Sequence, residues 1–408
     1  IPPGFPFDLT SLQREAYRLF GINPARTLQI AQNLYLQGLI SYPRTSSQKI
    51  PEAIKPQEIL KKLPPAYTKF VTRPKPVEGG KSDPAHPSIY PTGEYGRLAG
   101  EDEKIYSIIL KRFIACFCDD AIIKDKKIVF ETDLGKFKAS GLEIKEKGWM
   151  HVYPLKMEER EIEDIDGEKV IENSKIEEKM TQPPRRFTPA SIITELEKRN
   201  LGTKSTRANI IETLYSRNYI KEQSIQATPL GISLIKTLGK YSPVIIDEKL
   251  TRDFEKEMLE IERAKKGLEE KEERIIKKAE ISIKKIAEDF KKHEDKIGKE
   301  LVSATEENYK IEREENTLNE CPVCKKGKLR ILFNKRFRRS FVACNSYPEC
   351  KTTFSLPPGL IKRTDKVCEK CGWPNLIAIN KGKRPWFFCF NPTCPTRLAY
   401  EKSKEKTS

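Results

Sequence analysis

The chain has 408 residues, 37% hydrophobic and 33% charged, with a net charge of +17. That length admits two to four domains at roughly 100–200 residues each. It holds no apolar run long enough to span a bilayer and no secretory signal pattern, which argues against a membrane protein and against a disulfide-rich secreted one.

The charge is uneven. From Cys321 to Ser408 there are 20 Lys and Arg against 5 Asp and Glu, a net +15. This concentration points to a polyanionic partner, most simply nucleic acid. Phe333, Phe337, Phe341, Trp386, Phe387 and Phe388 interleave with the cations, as suits stacking on unpaired bases. A merely solubilising tail would not need them. The chain starts at Ile1 rather than Met, so it is expected to begin inside a larger protein.

In chain order, "TSLQREAYRLFG" reads as a helix with Thr10 as cap and Leu12, Ala16, Leu19 and Phe20 on one face. A second helix follows, with Asn23 as cap, Pro24 in the first position and Gly38 as its stop. Residues 58–100 read as loops around short elements, and "EDEKIYSIILKRFIACFC" as an amphipathic helix in which Cys116 and Cys118 are ordinary buried thiols. From Ile122 to Pro154, "IVFETDLGKFKASGLEI" and "GWMHVYP" alternate like strands. Residues 156–182 form a charged connection, and its "DIDGE", Asp164 to Glu168, reads as a turn rather than a metal triad. Thr188 caps the next helix, Pro189 leads it and Gly202 stops it. Ser205 then caps "STRANIIETLYSRN", and "YIKEQSIQATPLG" makes a small hairpin. Two helices, a tight turn and a hairpin suggest a winged helix-turn-helix. Residues 251–300 read as long charged helices interrupted at Gly267, and 301–320 as a polar linker.

Eight of the ten cysteines follow residue 320. Cys321, Cys324, Cys344 and Cys350 are spaced C-x2-C-x19-C-x5-C, and Cys368, Cys371, Cys389 and Cys394 are spaced C-x2-C-x17-C-x4-C. A CxxC knuckle supplies two thiolates from one turn, and zinc takes four. Two structural zinc ribbons are therefore expected. Both sites would be closed, with no catalysis at the metal.

"GLISYPRTSSQKIP", residues 38–51, places Tyr42 just past a helix stop, with Arg44 two residues on. A phenol can attack phosphorus, and a guanidinium can fork onto the same phosphate. "AHPSIYPTG", residues 85–93, holds His86, one of three histidines, between prolines. Each fragment alone is weak, since a structural tyrosine or histidine is the commoner case.

Together with "PFDLTSLQREAYRLFG", "FTPASIITELEKRNLGTKSTRANIIETLYSRNYI", "ATPLG" and "LTRDFEKEMLEIE", these stretches resemble the type IA DNA topoisomerases, in particular the archaeal topoisomerase I branch. The resemblance covers nearly the whole chain in the family's order. It implies that Tyr42 cleaves one DNA strand and forms a 5′-phosphotyrosyl link, that Arg44 stabilises the phosphate and that His86 assists. It also implies that Lys204, Ser205, Thr206 and Arg207 grip the single-strand backbone at a helix start. Where the family often has Thr-Asp-Ser after the arginine, this chain has Thr45-Ser46-Ser47. The family's magnesium site lies in an N-terminal Toprim domain, which is not among these residues. Without it the chain is expected to be inactive or strongly impaired.

The expected architecture is mixed α+β and toroidal, with helical domains and a strand-rich arch, a winged-helix-like segment and two four-cysteine zinc ribbons. The expected segments are 1–20 at the gate, 21–120 carrying the tyrosine, 121–182 as the arch, 183–300 gripping DNA, the linker 301–320, and ribbons at 321–358 and 365–400. The expected activity is ATP-independent relaxation of negatively supercoiled DNA. Expected partners are single-stranded or negatively supercoiled DNA and the Toprim half, with no membrane. The enzyme is expected to be monomeric, cytoplasmic and nucleoid-associated. Two alternatives stay open: a non-catalytic zinc-ribbon and winged-helix DNA-binding module, and the topoisomerase half of a reverse gyrase.

Overall fold

The computed structural model describes residues 1–398 except 134, 154, 156, 166, 169, 171, 172, 265, 266, 335, 338 and 381–384, and except the side chain of residue 263. The C-terminal end of the second expected ribbon, and Asp166 of "DIDGE", lie outside the described residues.

The first helix, α1 (Leu9–Phe20), begins one carboxylate earlier than its sequence suggests. Asp8, not Thr10, is the cap: its side chain accepts the Ser11 N–H, and the Ser11 hydroxyl accepts the Asp8 N–H. Thr10 already lies inside the first turn and is buried. Helix α2 (Pro24–Leu36) is capped by Asn23 with Pro24 in the first turn. It ends before Gly38, whose φ of +73° is the left-handed conformation that glycine adopts without a Cβ penalty.

Two short helices, α3 (Pro56–Lys62) and α4 (Pro65–Thr68), precede α5 (Gly100–Ala115). Strands β1 (Ile122–Thr132) and β2 (Gly135–Glu146) form an antiparallel hairpin. "GWMHVY", the described part of the next expected strand, does not continue it. Gly148–His151 is a 3-10 turn, and Trp149, Val152 and Tyr153 are buried together. Gly148 has φ +46°, and a Cβ there would meet the Asp120 carbonyl oxygen at 2.3 Å, so the chain bends where a strand pattern was expected.

Helix α6 (Pro189–Lys198) carries the expected Thr188 cap and Pro189. Asn200, at φ +54°, turns the chain out of the helix before Gly202 is reached. Helix α7 (Arg207–Ser216) starts after Thr206, not after Ser205, and has no side-chain cap. The Thr206 hydroxyl is taken up by the Thr203 N–H at 2.9 Å. The hairpin is minimal: β3 (Ile220–Lys221) and β4 (Gln226–Ala227). Then come α8 (Pro229–Tyr241), α9 (Glu248–Arg263) and α10 (Leu268–Glu315), with Gly267 between the last two at φ +66°. The expected linker at 301–320 is not one. Residues 301–315 continue α10, and β5 (Thr317–Glu320) follows at once. Helix-forming residues run through it, and Ala304 and Asn308 on one side of it are buried.

Two compact units result. The first comprises Ile1–Arg217, Lys221–Gln226 and Glu248–Lys265. Its core joins Phe7, Leu12 and Ala16 to Ile30 and Leu34 of α2, to Ile105, Ile109 and Phe113 of α5, and to Trp149. The expected segments 1–20 and 21–120 thus share one core. Cys116 and Cys118 are free thiols in it, and burial pushes both up, to about 12 and about 11. A smaller cluster packs Ile193 of α6 on Ala208 and Ile211 of α7.

The second unit comprises Asn218–Ile220, Ala227–Asp247 and Lys266–Ser408. Here α8 lies on α10, where Glu300 accepts hydrogen bonds from Thr237, Lys240 and Tyr241. The ribbons consist of β5, β6 (Lys328–Asn334), β7 (Arg339–Cys344) and β8 (Thr353–Ser355) in one sheet. A second sheet holds β9 (Leu360–Val367), β10 (Pro374–Ile379) and β11 (Trp386–Cys389). They are not two independent beads. Leu329, Val342, Leu376 and Phe390 belong to one buried cluster, and Trp373 of the second ribbon meets Phe354 of the first edge-on at 5.6 Å.

Candidate active site and metal centres

Tyr42 and Arg44 lie on an extended segment, residues 41–50, that is held down on both sides. Leu39 and Ile40 are buried before it, and Ile50 after it. Ser41 anchors it to the His86 loop: its N–H donates to the Tyr90 carbonyl at 2.9 Å, and its hydroxyl donates to the Ser88 carbonyl at 3.0 Å. Thr45, fully buried, donates its hydroxyl to the His86 carbonyl at 3.2 Å, and the Leu9 N–H donates to the Thr45 carbonyl.

These ties bring residues far apart in sequence together. The Tyr42 and His86 rings lie 4.5 Å apart between centroids, tilted by 46°. Tyr35 of α2 also meets Tyr42, edge-on at 5.3 Å and 76°. Tyr42, Arg44 and His86 are all half-buried. Among the described residues, neither the Tyr42 hydroxyl, the His86 ring nitrogens nor the Arg44 guanidinium has a hydrogen-bond or ion-pair partner. Three groups with chemistry to offer therefore keep their polar atoms free.

Asp83 was not singled out in the sequence, although an Asp-Pro two residues before Ala85 is an Asx-turn signal. Its side chain is 1% exposed. It accepts the Ser46 N–H and hydroxyl at 3.0 Å each, and the Ala85 and His86 N–H groups at 3.1 and 3.3 Å. The Lys204 ammonium completes the set. Burial alone would raise the Asp83 pKa. The Lys204 hydrogen bond and those from Ser46 and Ala85 outweigh it and hold the carboxyl well below the usual carboxylate range. Tyr35 was also missed: no local pattern marks a helix tyrosine as a neighbour of a residue beyond the helix end.

The turn before α7 is occupied with itself. Lys204 reaches Asp83, and the Ser205 hydroxyl lies 3.1 Å from that of Thr203. Arg207 donates to the Leu201 and Gly202 carbonyls at 3.0 and 2.8 Å, and burial lowers its pKa. Arg207 thus shapes the turn. Thr206 is exposed, and Lys204 and Ser205 are partly so.

Each cysteine quartet brings its four sulfurs within 4.8 Å of one another. The nearest pairs are Cys321–Cys350 at 3.8 Å, Cys324–Cys344 at 3.6 Å, Cys368–Cys394 at 3.6 Å and Cys371–Cys389 at 3.4 Å. These are far longer than a disulfide, and all ten cysteines are free. A zinc ion with four bonds of about 2.3 Å sets sulfurs about 3.8 Å apart, so both quartets fit zinc. Hydrogen bonds from the knuckle amides of Gly327 and Lys326 lower the Cys324 thiol, whereas burial raises Cys344 in the same quartet. Among the described residues no other group of three ligand atoms gathers. Asp164 is exposed and paired to Lys126, and it joins no group of three ligand atoms among the described residues.

The ribbon aromatics divide. Phe333, Phe337 and Phe387 are exposed, whereas Trp386 and Phe388 stack on each other at 4.8 Å and pack against the ribbon core. The tail's expected stacking surface is therefore smaller than its aromatic count.

Residues 1–272 match the family model described as DNA topoisomerase. The chain is 42% identical over 402 residues to DNA topoisomerase 1 of Methanothermobacter thermautotrophicus, covering 96% of this chain and 54% of that protein. It is 42% identical to DNA topoisomerase 1 of Pyrococcus horikoshii, covering 96% and 58% respectively. It is 27% identical to mouse DNA topoisomerase 3-alpha, covering 91% and 39%. Full-length topoisomerase I of Thermotoga maritima shares the fold at a TM-score of 0.52 and 23% identity, covering 95% of this chain and 60% of that one. The chain spans about half the length of the curated relatives it matches.

Proposed function

The chain belongs to the type IA DNA topoisomerase family, in the branch of the archaeal DNA topoisomerase 1 proteins, and on that footing we propose that its first unit carries the nucleophile of a reaction that opens and reseals one DNA strand. The observation that carries this reading is the Tyr42–His86 ring contact at 4.5 Å, beside an Arg44 free of partners among the described residues.

In the proposed step the Tyr42 hydroxyl oxygen attacks the phosphorus and loses its proton. The bond from phosphorus to the 3′ oxygen breaks, and that oxygen leaves as a 3′-hydroxyl. The 5′ phosphate stays on Tyr42. Arg44 bears on the non-bridging oxygens, where charge gathers. His86, against the Tyr42 ring, is placed to move a proton on or off the reacting oxygens. Attack by the 3′-hydroxyl reverses the step and frees the phenol. The linkage conserves the phosphodiester's free energy, so the cycle needs no ATP. A single-stranded stretch is the natural substrate, which favours negatively supercoiled DNA.

Magnesium is expected on a Toprim domain. Among the described residues no acidic cluster fits that cation. When bound, zinc would cross-link each ribbon and take no part in the chemistry. No helix among the described residues is long and apolar enough to cross a membrane. A monomeric, cytoplasmic, nucleoid-associated enzyme acting with its Toprim half completes the reading.

The test is covalent capture. Single-stranded DNA labelled at either end is incubated with the chain, a Toprim half and magnesium, then denatured. Label at the 3′ end is expected on the protein, and label at the 5′ end in the released fragment. Tight binding with no adduct under any condition would favour the non-catalytic binding module instead.

A further inference from the structure

We propose that Asp83 is a positioning residue that aims Lys204 and the His86 loop at one phosphodiester beside Tyr42. The inference rests on the reading that Tyr42 attacks a phosphodiester, and it assigns a role to a residue outside the reacting trio.

One carboxylate ties three segments together. Oδ2 holds Ser46, four residues after Tyr42, through both its N–H and its hydroxyl. Oδ1 holds the N–H groups of Ala85 and His86. Lys204, from the turn before α7, closes on Oδ2. Aspartate is rarely so deeply buried without such partners. Net stability is a weak reason to keep a pair like this, because desolvation offsets much of the attraction. Geometry is a better one. A change at Asp83 would be felt by the backbone of His86 and by the Tyr42–Arg44 segment at once.

Lys204 has more to give than it gives here. An ammonium has three N–H donors and Asp83 takes one. The Lys204 side chain remains 36% exposed, so its other donors are open to a ligand. Pairing also cancels the Asp83 charge. A bare buried carboxylate at this place would repel an incoming phosphate, whereas the pair presents the cationic end of a lysine. Lys204 thus serves as a phosphate ligand held at a set position, and Asp83 is what holds it.

The experiment uses the full-length protein with Asp83→Asn, Lys204→Met, Lys204→Arg and the double variant Asp83→Asn with Lys204→Met. Adduct formation, the salt dependence of oligodeoxynucleotide binding, and thermal unfolding are measured for each. Lys204→Met is expected to lower the slope of log affinity against log salt by about 0.7, the value for one phosphate contact on a single strand. It should also slow adduct formation at least ~10-fold, and Lys204→Arg should restore most of the slope. Asp83→Asn should slow adduct formation by a similar factor while keeping DNA affinity. The double variant should be no slower than the slower single one, since both act through the same contact.

Three results would overturn the proposal: an unchanged slope in Lys204→Met, losses that multiply in the double variant, or equal loss of affinity and adduct rate in Asp83→Asn. If Asp83→Asn does not fold, the two Lys204 variants decide by slope and rescue. Absence of any adduct in the unaltered protein would instead remove the Tyr42 reading and the His86 half of this proposal. The salt slope would still judge the Lys204 half.

Discussion

The rings of Tyr42 and His86, 44 positions apart in the chain, lie 4.5 Å apart at their centroids, with the polar atoms of both unpartnered among the described residues. Contact between two aromatic rings accounts for packing but leaves the phenol oxygen and both imidazole nitrogens available. From that relationship the sharpest expectation follows. Tyr42→Phe removes one oxygen, and phenylalanine keeps the contacts with His86 and Tyr35. Covalent capture of DNA should be abolished, with non-covalent affinity within about twofold of the unaltered protein, since most backbone affinity is electrostatic. Filter binding and denaturing gels on the same samples check both. Loss of binding itself would count against Tyr42 as nucleophile.

Removing the His86 ring tests the other half of the pair. His86→Ala should slow adduct formation by about 10²-fold, the low end for removal of a proton-transfer group. The backbone bonds from Thr45 and to Asp83 do not depend on the ring, so the fold should hold. Single-turnover rates against pH would distinguish proton transfer from simple packing, since only the former reshapes the profile.

Stripping the ribbons of metal should unfold them and spare the helices. Treatment with a strong chelator, or Cys344→Ser in the first site, is expected to release zinc and loosen the shared core around Leu329, Val342 and Leu376. A colorimetric zinc assay should find two equivalents per chain before treatment. Because the ribbons share that core, loss at one site should weaken retention at the other. Independent release curves would refute such coupling.

Deleting the chain from Cys321 onward removes most of its net positive charge. DNA binding should weaken, and its salt dependence should become shallower by about 0.7 for each phosphate that the tail neutralises on a single strand. An unchanged slope would make the tail a bystander.

Acid stability offers a check on Asp83 that does not involve DNA. Its folded pKa lies below the unfolded aspartate value of about 3.9. The stabilisation is therefore present above that value and is lost as pH falls through the unfolded range towards the depressed folded one. Below about pH 4 the unaltered protein should lose melting temperature more steeply than Asp83→Asn, which has no carboxyl to protonate there. Parallel curves for the two would contradict the linkage.

How much of this was legible beforehand varies by residue. Asn23–Pro24 and Thr188–Pro189 marked their helices correctly, because a cap and its proline act over one turn. Thr10 and Ser205 misled for the same reason. A hydroxyl at a helix start has rivals within three residues, here Asp8 and the Thr203–Thr206 turn. The 301–320 stretch looked like a linker because it is polar, yet a helix packed on one side tolerates a polar far face.

The sequence by itself determined what is local or recurrent: the two cysteine quartets, the placing of Tyr42 and Arg44 after a helix stop, and the basic tail. Those signals survive because ligand spacing, caps and charge density are properties of short stretches. Only the tertiary structure decided that His86 faces Tyr42, that Asp83 joins Ser46, His86 and Lys204, and that the two ribbons share a core. Each of these depends on packing between segments tens of residues apart or more. Burial of Leu39, Ile40, Thr45 and Ile89 sets the positions of the loops, and the polar contacts follow from them.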